Sequence, residues 1–105
     1  MTRIGQPFTS GDWLVKAGNE RAFIDVWTEV ADWCLEHAPG ARSFRLIRDE
    51  KNPRHFISFG EWEDFDSISV ARGQPGFLEP FRQCQRLCDR FSGSDYTVAL
   101  AVPVA

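Results

Sequence analysis

A strand presents two unlike faces when its side chains alternate, and the run HFISFGEW at positions 55–62 alternates in an unusual way. Phe56, Ser58, Gly60 and Trp62 fall on one side of such a strand, and Ile57 and Phe59 on the other, because the side-chain period is two. One side carries bulk. The other sets two small residues between two aromatics, which leaves a hollow with Trp62 at its rim. Glycine inside a strand marks close approach of another group, so the hollow serves either a helix pressed close or a bound ligand. In both readings the run is a central strand, and the elements around it have to supply the cover.

Those elements follow from periodicity. Phe8 to Val15 reads as a first strand, with Trp13 and Val15 on one face and Leu14 on the other. Lys16-Ala17-Gly18 breaks it, and Asn19 with Glu20 gives a helix start. Phe23, Trp27, Val30, Ala31 and Cys34 form the buried stripe of that helix, widened by Ile24 and Leu35, while Asp25, Glu29, Asp32 and Glu36 make a solvated row. Trp33 lies on the flank and is a candidate for a subunit contact. Pro39-Gly40 ends the helix. Ala41 to Arg48 is a second strand, hairpinned through a turn-rich loop to the 55–62 strand. Acidic residues between Glu63 and Asp66 cap a short helix over Ser67 to Arg72. A longer helix is expected from Phe77 to Phe91, with Phe77, Phe81, Cys84, Cys88 and Phe91 as its apolar face, and a last strand from Tyr96 to Val102. No internal repeat, low-complexity run or linker is evident, so the whole chain, 1–105, reads as a single domain.

The order strand, helix, strand, strand, helix, strand is the split βαβ arrangement of an α+β, ferredoxin-like fold: a four-stranded antiparallel sheet with its helices on one face. Ile57 and Phe59 then make the opposite face apolar, whereas a lone two-layer domain would be polar there. The simplest cover is a second copy of the chain, giving a homodimer closed sheet to sheet into a barrel.

Composition narrows the function. The chain of 105 residues is long enough to bury roughly two-thirds of its unfolded surface. Four Trp and nine Phe have to fill something large. A net charge of -3 argues against a general nucleic-acid binder. No apolar run reaches the roughly 18 residues of a membrane span and no signal peptide is visible, so a cytoplasmic protein without a membrane partner is expected. Three cysteines, Cys34, Cys84 and Cys88, suit reduced thiols better than a disulfide framework. Cys84 and Cys88 stand four apart and would suit a metal pair, but their apolar stripe favours small buried hydrophobes. Neither G-x-G-x-x-G nor a phosphate-binding G-x-x-x-x-G-K loop occurs, and His37 and His55 have no metal-ligand spacing.

The strand ending in Val15-Lys16-Ala17-Gly18, the helix with Phe23 and Trp27, Pro39-Gly40-Ala41, the hairpin strand Phe44-Arg45-Leu46-Ile47-Arg48, the Phe59-Gly60-Glu61-Trp62 turn into an acidic helix start and the Pro75-Gly76-Phe77 segment together resemble the antibiotic-biosynthesis-monooxygenase family of dimeric α+β barrels. The resemblance spans residues 8–102. It implies a cofactor-independent monooxygenase that oxidises a phenolic, quinol or anthrone-like small molecule, with neither metal nor flavin. The alternative is a non-catalytic dimeric barrel that binds an aromatic or lipid-like ligand or a protein partner. On the first reading Trp62 is a wall and hydrogen-bond donor, Arg72 stabilises oxyanion charge, and Ser58, Gly60, Trp27, Phe77 and Phe81 hold the substrate. Tyr96, His55 and Asp12 are proton-transfer candidates on residue type alone. Haem-opening relatives use an Asn, a Trp and a His; only Trp62 is matched here, and Arg72 stands near the missing His, so haem degradation is not expected.

Overall fold

Four strands meet in one antiparallel sheet in the computed structural model, which describes residues 2–103. In chain order the elements are β1 (Pro7–Val15), α1 (Glu20–His37), β2 (Ala41–Arg48), β3 (His55–Trp62), α2 (Phe65–Arg72), α3 (Pro75–Arg86) and β4 (Cys88–Thr97). The strand order β2-β3-β1-β4 puts β1 and β3 at the centre, the ferredoxin-like topology expected from the element order. The sheet stays open, with β2 and β4 as edges.

The helices cover the face that carries Trp13, Val15 and Phe56. Those three residues are fully buried against Phe23, Val26, Trp27 and Val30 of α1 and Cys84 of α3. Aromatic stacking orders this layer: Trp13 lies 5.1 Å from Phe23 and 4.2 Å from Phe91 between ring centroids. A second cluster, Cys34, Ala38, Trp62, Ile68 and Ala71, seals the other end under α2. Leu35 is exposed and takes no part in the stripe, whereas Val26 does. Trp33 is half-buried over Gly76 of α3, so its flank position is used inside the chain.

Helix ends follow the expected chemistry with one exception. Asp64 caps α2, its carboxylate accepting from the Ser67 N–H at 2.8 Å. Gly40, at φ +91°, supplies the left-handed turn after α1. Asn19 occupies the N-cap position of α1, but its side chain makes no capping bond.

The C-terminal third departs from the periodicity reading. The last helix ends at Arg86 and not at Phe91; Leu87 caps it, and the Leu87 carbonyl accepts from Lys16 N–H at 2.9 Å, which turns the chain straight into the sheet. Cys88 and Phe91 therefore lie on β4. Their spacing of three imitates a helical stripe because β4 bulges: Cys88 pairs with Val15 and Arg90 with Leu14, leaving Asp89 as the extra residue. A bulge lengthens the repeat of inward side chains from two to three at one point. The expected strand over Tyr96 to Val102 is largely absent. β1 begins at Pro7, so beyond Thr97 the chain finds only the Gln6 and Gly5 backbone to pair with, through Val98, and Leu100 and Val102 are exposed.

Candidate functional site

The site grows from the register of β1 on β3. Thr9 stands opposite Gly60, and Gly11 opposite Ser58, so two hydroxyls and two glycines form a chequered floor on the helix side of the sheet. Two residues beyond each glycine comes a tryptophan, and each indole reaches across the strand pair. Trp13 Nε1 donates to Ser58 Oγ at 3.0 Å, and Trp62 Nε1 donates to Thr9 Oγ1 at 3.2 Å. The glycines are required for space here. A Cβ on Gly11 would stand 2.6 Å from Trp13 Nε1 and 2.8 Å from Ser58 Oγ, and one on Gly60 would stand 2.6 Å from Thr9 Oγ1. All three distances fall well inside van der Waals contact, so alanine at either position would push a hydroxyl out of its indole bond.

Above this floor lies a cavity of about 350 Å³. Its walls are Trp27 and Val30 from α1, Phe77 and Phe81 from α3, and Phe44 and Phe91 from the edge strands; Phe77 and Phe81 are stacked 5.0 Å apart. Arg72, Arg82 and Gln85 are also among the lining residues. All seven residues assigned from the sequence, Trp62, Arg72, Ser58, Gly60, Trp27, Phe77 and Phe81, line this one space.

Two of those assignments change in character. Trp62 does not offer its N–H to the cavity directly, because Thr9 has taken it. Arg72 forks onto Asp95, Nη1 to Oδ2 at 2.9 Å and Nη2 to Oδ1 at 2.6 Å. The guanidinium holds the Asp95 carboxyl below the usual carboxylate range, and much of the Arg72 charge is already matched. Arg82 makes no ion pair with a described residue, which leaves it the freer of the two cations.

The proton-transfer candidates lie elsewhere. Asp12 and His55 alternate with Gly11 and Phe56 and so point to the open face, where His55 Nε2 meets Asp12 at 2.9 Å and Nδ1 meets Asp49 at 3.1 Å. The hydrogen bond to Asp49, chiefly, raises the His55 pKa. Tyr96 pairs with Phe8 on that same face. No carboxylate, histidine, lysine or tyrosine is among the cavity's lining residues. Burial pushes Cys34 and Cys84 up to about 12 and Cys88 to about 11, which suits packed, protonated thiols. Cys84 ends on a helix and Cys88 on a strand, so the four-apart helical pair does not exist.

A signal for the missed residues was present. Thr9-Ser10-Gly11-Asp12-Trp13 and Ser58-Phe59-Gly60-Glu61-Trp62 are the same pattern twice: a hydroxyl, any residue, glycine, a carboxylate, tryptophan. The two central strands share this short pattern, and it brings in Thr9, Gly11 and Trp13.

Comparison with known proteins agrees with this architecture. The family model for antibiotic biosynthesis monooxygenase matches residues 12–83. Among solved structures, SnoaB, a cofactor-independent oxygenase from Streptomyces nogalater, superposes with a TM-score of 0.84 at 22% identity, over 95% of this chain and 99% of that one. A conserved protein from Methanosarcina mazei gives 0.82 at 17% identity, over 90% and 94%. A protein from Shewanella oneidensis gives 0.76 at 16%, over 91% and 93%. No curated protein matches the sequence. Among the described residues no helix is long and apolar enough to cross a membrane.

Proposed function

The chain belongs to the antibiotic biosynthesis monooxygenase family, and we propose that it oxidises a phenolic, quinol or anthrone-like aromatic with dioxygen in the cavity above Thr9, Gly11, Ser58 and Gly60, without a metal or organic cofactor. The observation that carries this reading is the cavity itself: aromatic walls, a floor with two hydroxyls, and arginine at its edge. Aromatic walls take a flat ring. Hydroxyl donors and cationic guanidinium favour its anion. An electron-rich phenolate can reduce dioxygen itself; one oxygen atom enters the ring, the other leaves as water with the phenolic and ring hydrogens, and a quinone remains.

The lining has no side chain that serves as a general base, so the substrate has to be acidic enough to lose its proton to solvent when bound. The pH–rate profile then follows the substrate. Oxygen uptake measured with two hydroquinones of different acidity should give midpoints that move with the phenol; a midpoint fixed by the protein would overturn this account. Trp62→Phe removes the indole N–H behind Thr9 and should lower kcat/KM roughly tenfold, about 1.4 kcal/mol. Arg72→Ala should cost less, because Asp95 already holds that charge.

The open face completes the reading. Ile47, Phe59 and Tyr96 are exposed there, beside the partly covered Ile57, and a second copy of the chain is the cover proposed for them. The absence of a base among the lining residues also supports a second reading, a dimeric barrel that binds an aromatic ligand without turning it over. Oxygen uptake separates the two.

A further inference from the structure

We infer that Thr9 and Ser58 are a matched pair of hydrogen-bond donors that take the two oxygens of a 1,4-dioxygenated aromatic ring, an inference that rests on the cavity being an aromatic-binding site. An indole N–H is a donor only, so the bonds from Trp13 and Trp62 use Ser58 Oγ and Thr9 Oγ1 as acceptors. That leaves each hydroxyl its own proton. Neither donates to a described protein group, and both residues line the cavity. The indole bond polarises each hydroxyl and makes it a better donor toward a ligand.

The arrangement has a local two-fold symmetry. Thr9 and Ser58 are diagonal neighbours across β1 and β3, which sets them about 7 Å apart. Each hydroxyl leans across toward the glycine opposite, as the close approach of Thr9 Oγ1 to the Gly60 position and of Ser58 Oγ to the Gly11 position shows. A single six-membered ring with an oxygen at each end spans such a pair, with each O–H to O contact near 2.7 Å. A phenol carries one oxygen and has two equivalent ways to bind. Its other end then faces the second hydroxyl, where a new carbon–oxygen bond opposite the first would find a donor waiting.

This symmetry gives a signature that a structural role would not produce. The probes are duroquinone, with two oxygens, and 2,3,5,6-tetramethylphenol, with one, titrated by calorimetry without oxygen. Thr9→Val or Ser58→Ala alone should weaken duroquinone about five- to tenfold, and the double variant by roughly the product. Either single change should weaken the phenol only about twofold, the loss of one of two orientations, while the double variant loses a further five- to tenfold. Thr9→Ser should restore wild-type affinity for the quinone. Equal responses of quinone and phenol to the single changes, no response to either change, or no binding of duroquinone by the wild type would each overturn the inference. Each hydroxyl is tested separately, so one variant that fails to fold leaves the other to decide. Duroquinone binding needs no turnover: if oxygen uptake is absent but the signature holds, the oxygenase reading falls and the donor pair stands.

Discussion

The two faces of the central strands are built from alternate residues of the same two segments, yet they are different materials. Toward the helices stand Thr9, Gly11, Trp13, Ser58, Gly60 and Trp62, with both indoles bonded and a cavity above them. Toward the open side stand Ser10, Asp12, Ile57, Phe59 and Glu61, where Asp12 is tied to His55 and Phe59 is 37% exposed. The helix face is covered within one chain; the open face is left exposed. The proposed chemistry, which needs a pocket, falls on the first, and the proposed assembly on the second.

Breaking the first face should have the largest effect. Trp13 is 1% exposed and touches Phe23, Phe81 and Phe91, so Trp13→Ala should cost about 3–5 kcal/mol in denaturant unfolding. Ile47, 52% exposed on the open face, should cost no more than about 0.5 kcal/mol on change to alanine at submicromolar protein. A large Ile47 effect that grows with protein concentration would sharpen the contrast, since it would locate the missing cover. Next comes assembly. Phe59→Asp places a charge in the proposed interface and should halve the sedimenting mass while far-ultraviolet circular dichroism is unchanged; a wild type that already sediments as a monomer would remove the barrel.

The smallest expected effect is the His55 clamp. Its pKa lies above the ordinary 6.5, so its contribution is complete below that value and is lost as pH rises through the raised one. Asp49 is shifted the other way, chiefly by the same hydrogen bond, so its contribution holds above 3.8 and is lost as pH falls through the lowered value. The Tm gap between wild type and Asp49→Asn should therefore be wider at about pH 5.5 than at about pH 9. A gap independent of pH would show that the clamp carries no charge-dependent stability.

Some of this was legible in one dimension. The hairpin strands Ala41–Arg48 and His55–Trp62 appear with their expected bounds, because unbroken alternation between turn residues has few other solutions. The assignment of Ser58, Gly60 and Trp62 to the helix side held for the same reason. The helix expected to reach Phe91 did not, because a bulge at Asp89 spaces inward residues by three and periodicity alone cannot tell that from a helical stripe. Arg72 could be placed near the cavity from its position, but Asp95, its partner, is 23 residues away on another element.

The sequence by itself determined which residues share a face, since alternation and helical period are local properties of the backbone, and with them the element order that selects this topology. It also carried the repeated hydroxyl, glycine, tryptophan pattern. Only the tertiary structure decided that each tryptophan serves the other strand's hydroxyl. That depends on the antiparallel register that sets Thr9 against Gly60 and Gly11 against Ser58, and register is a relation between segments that neither segment contains.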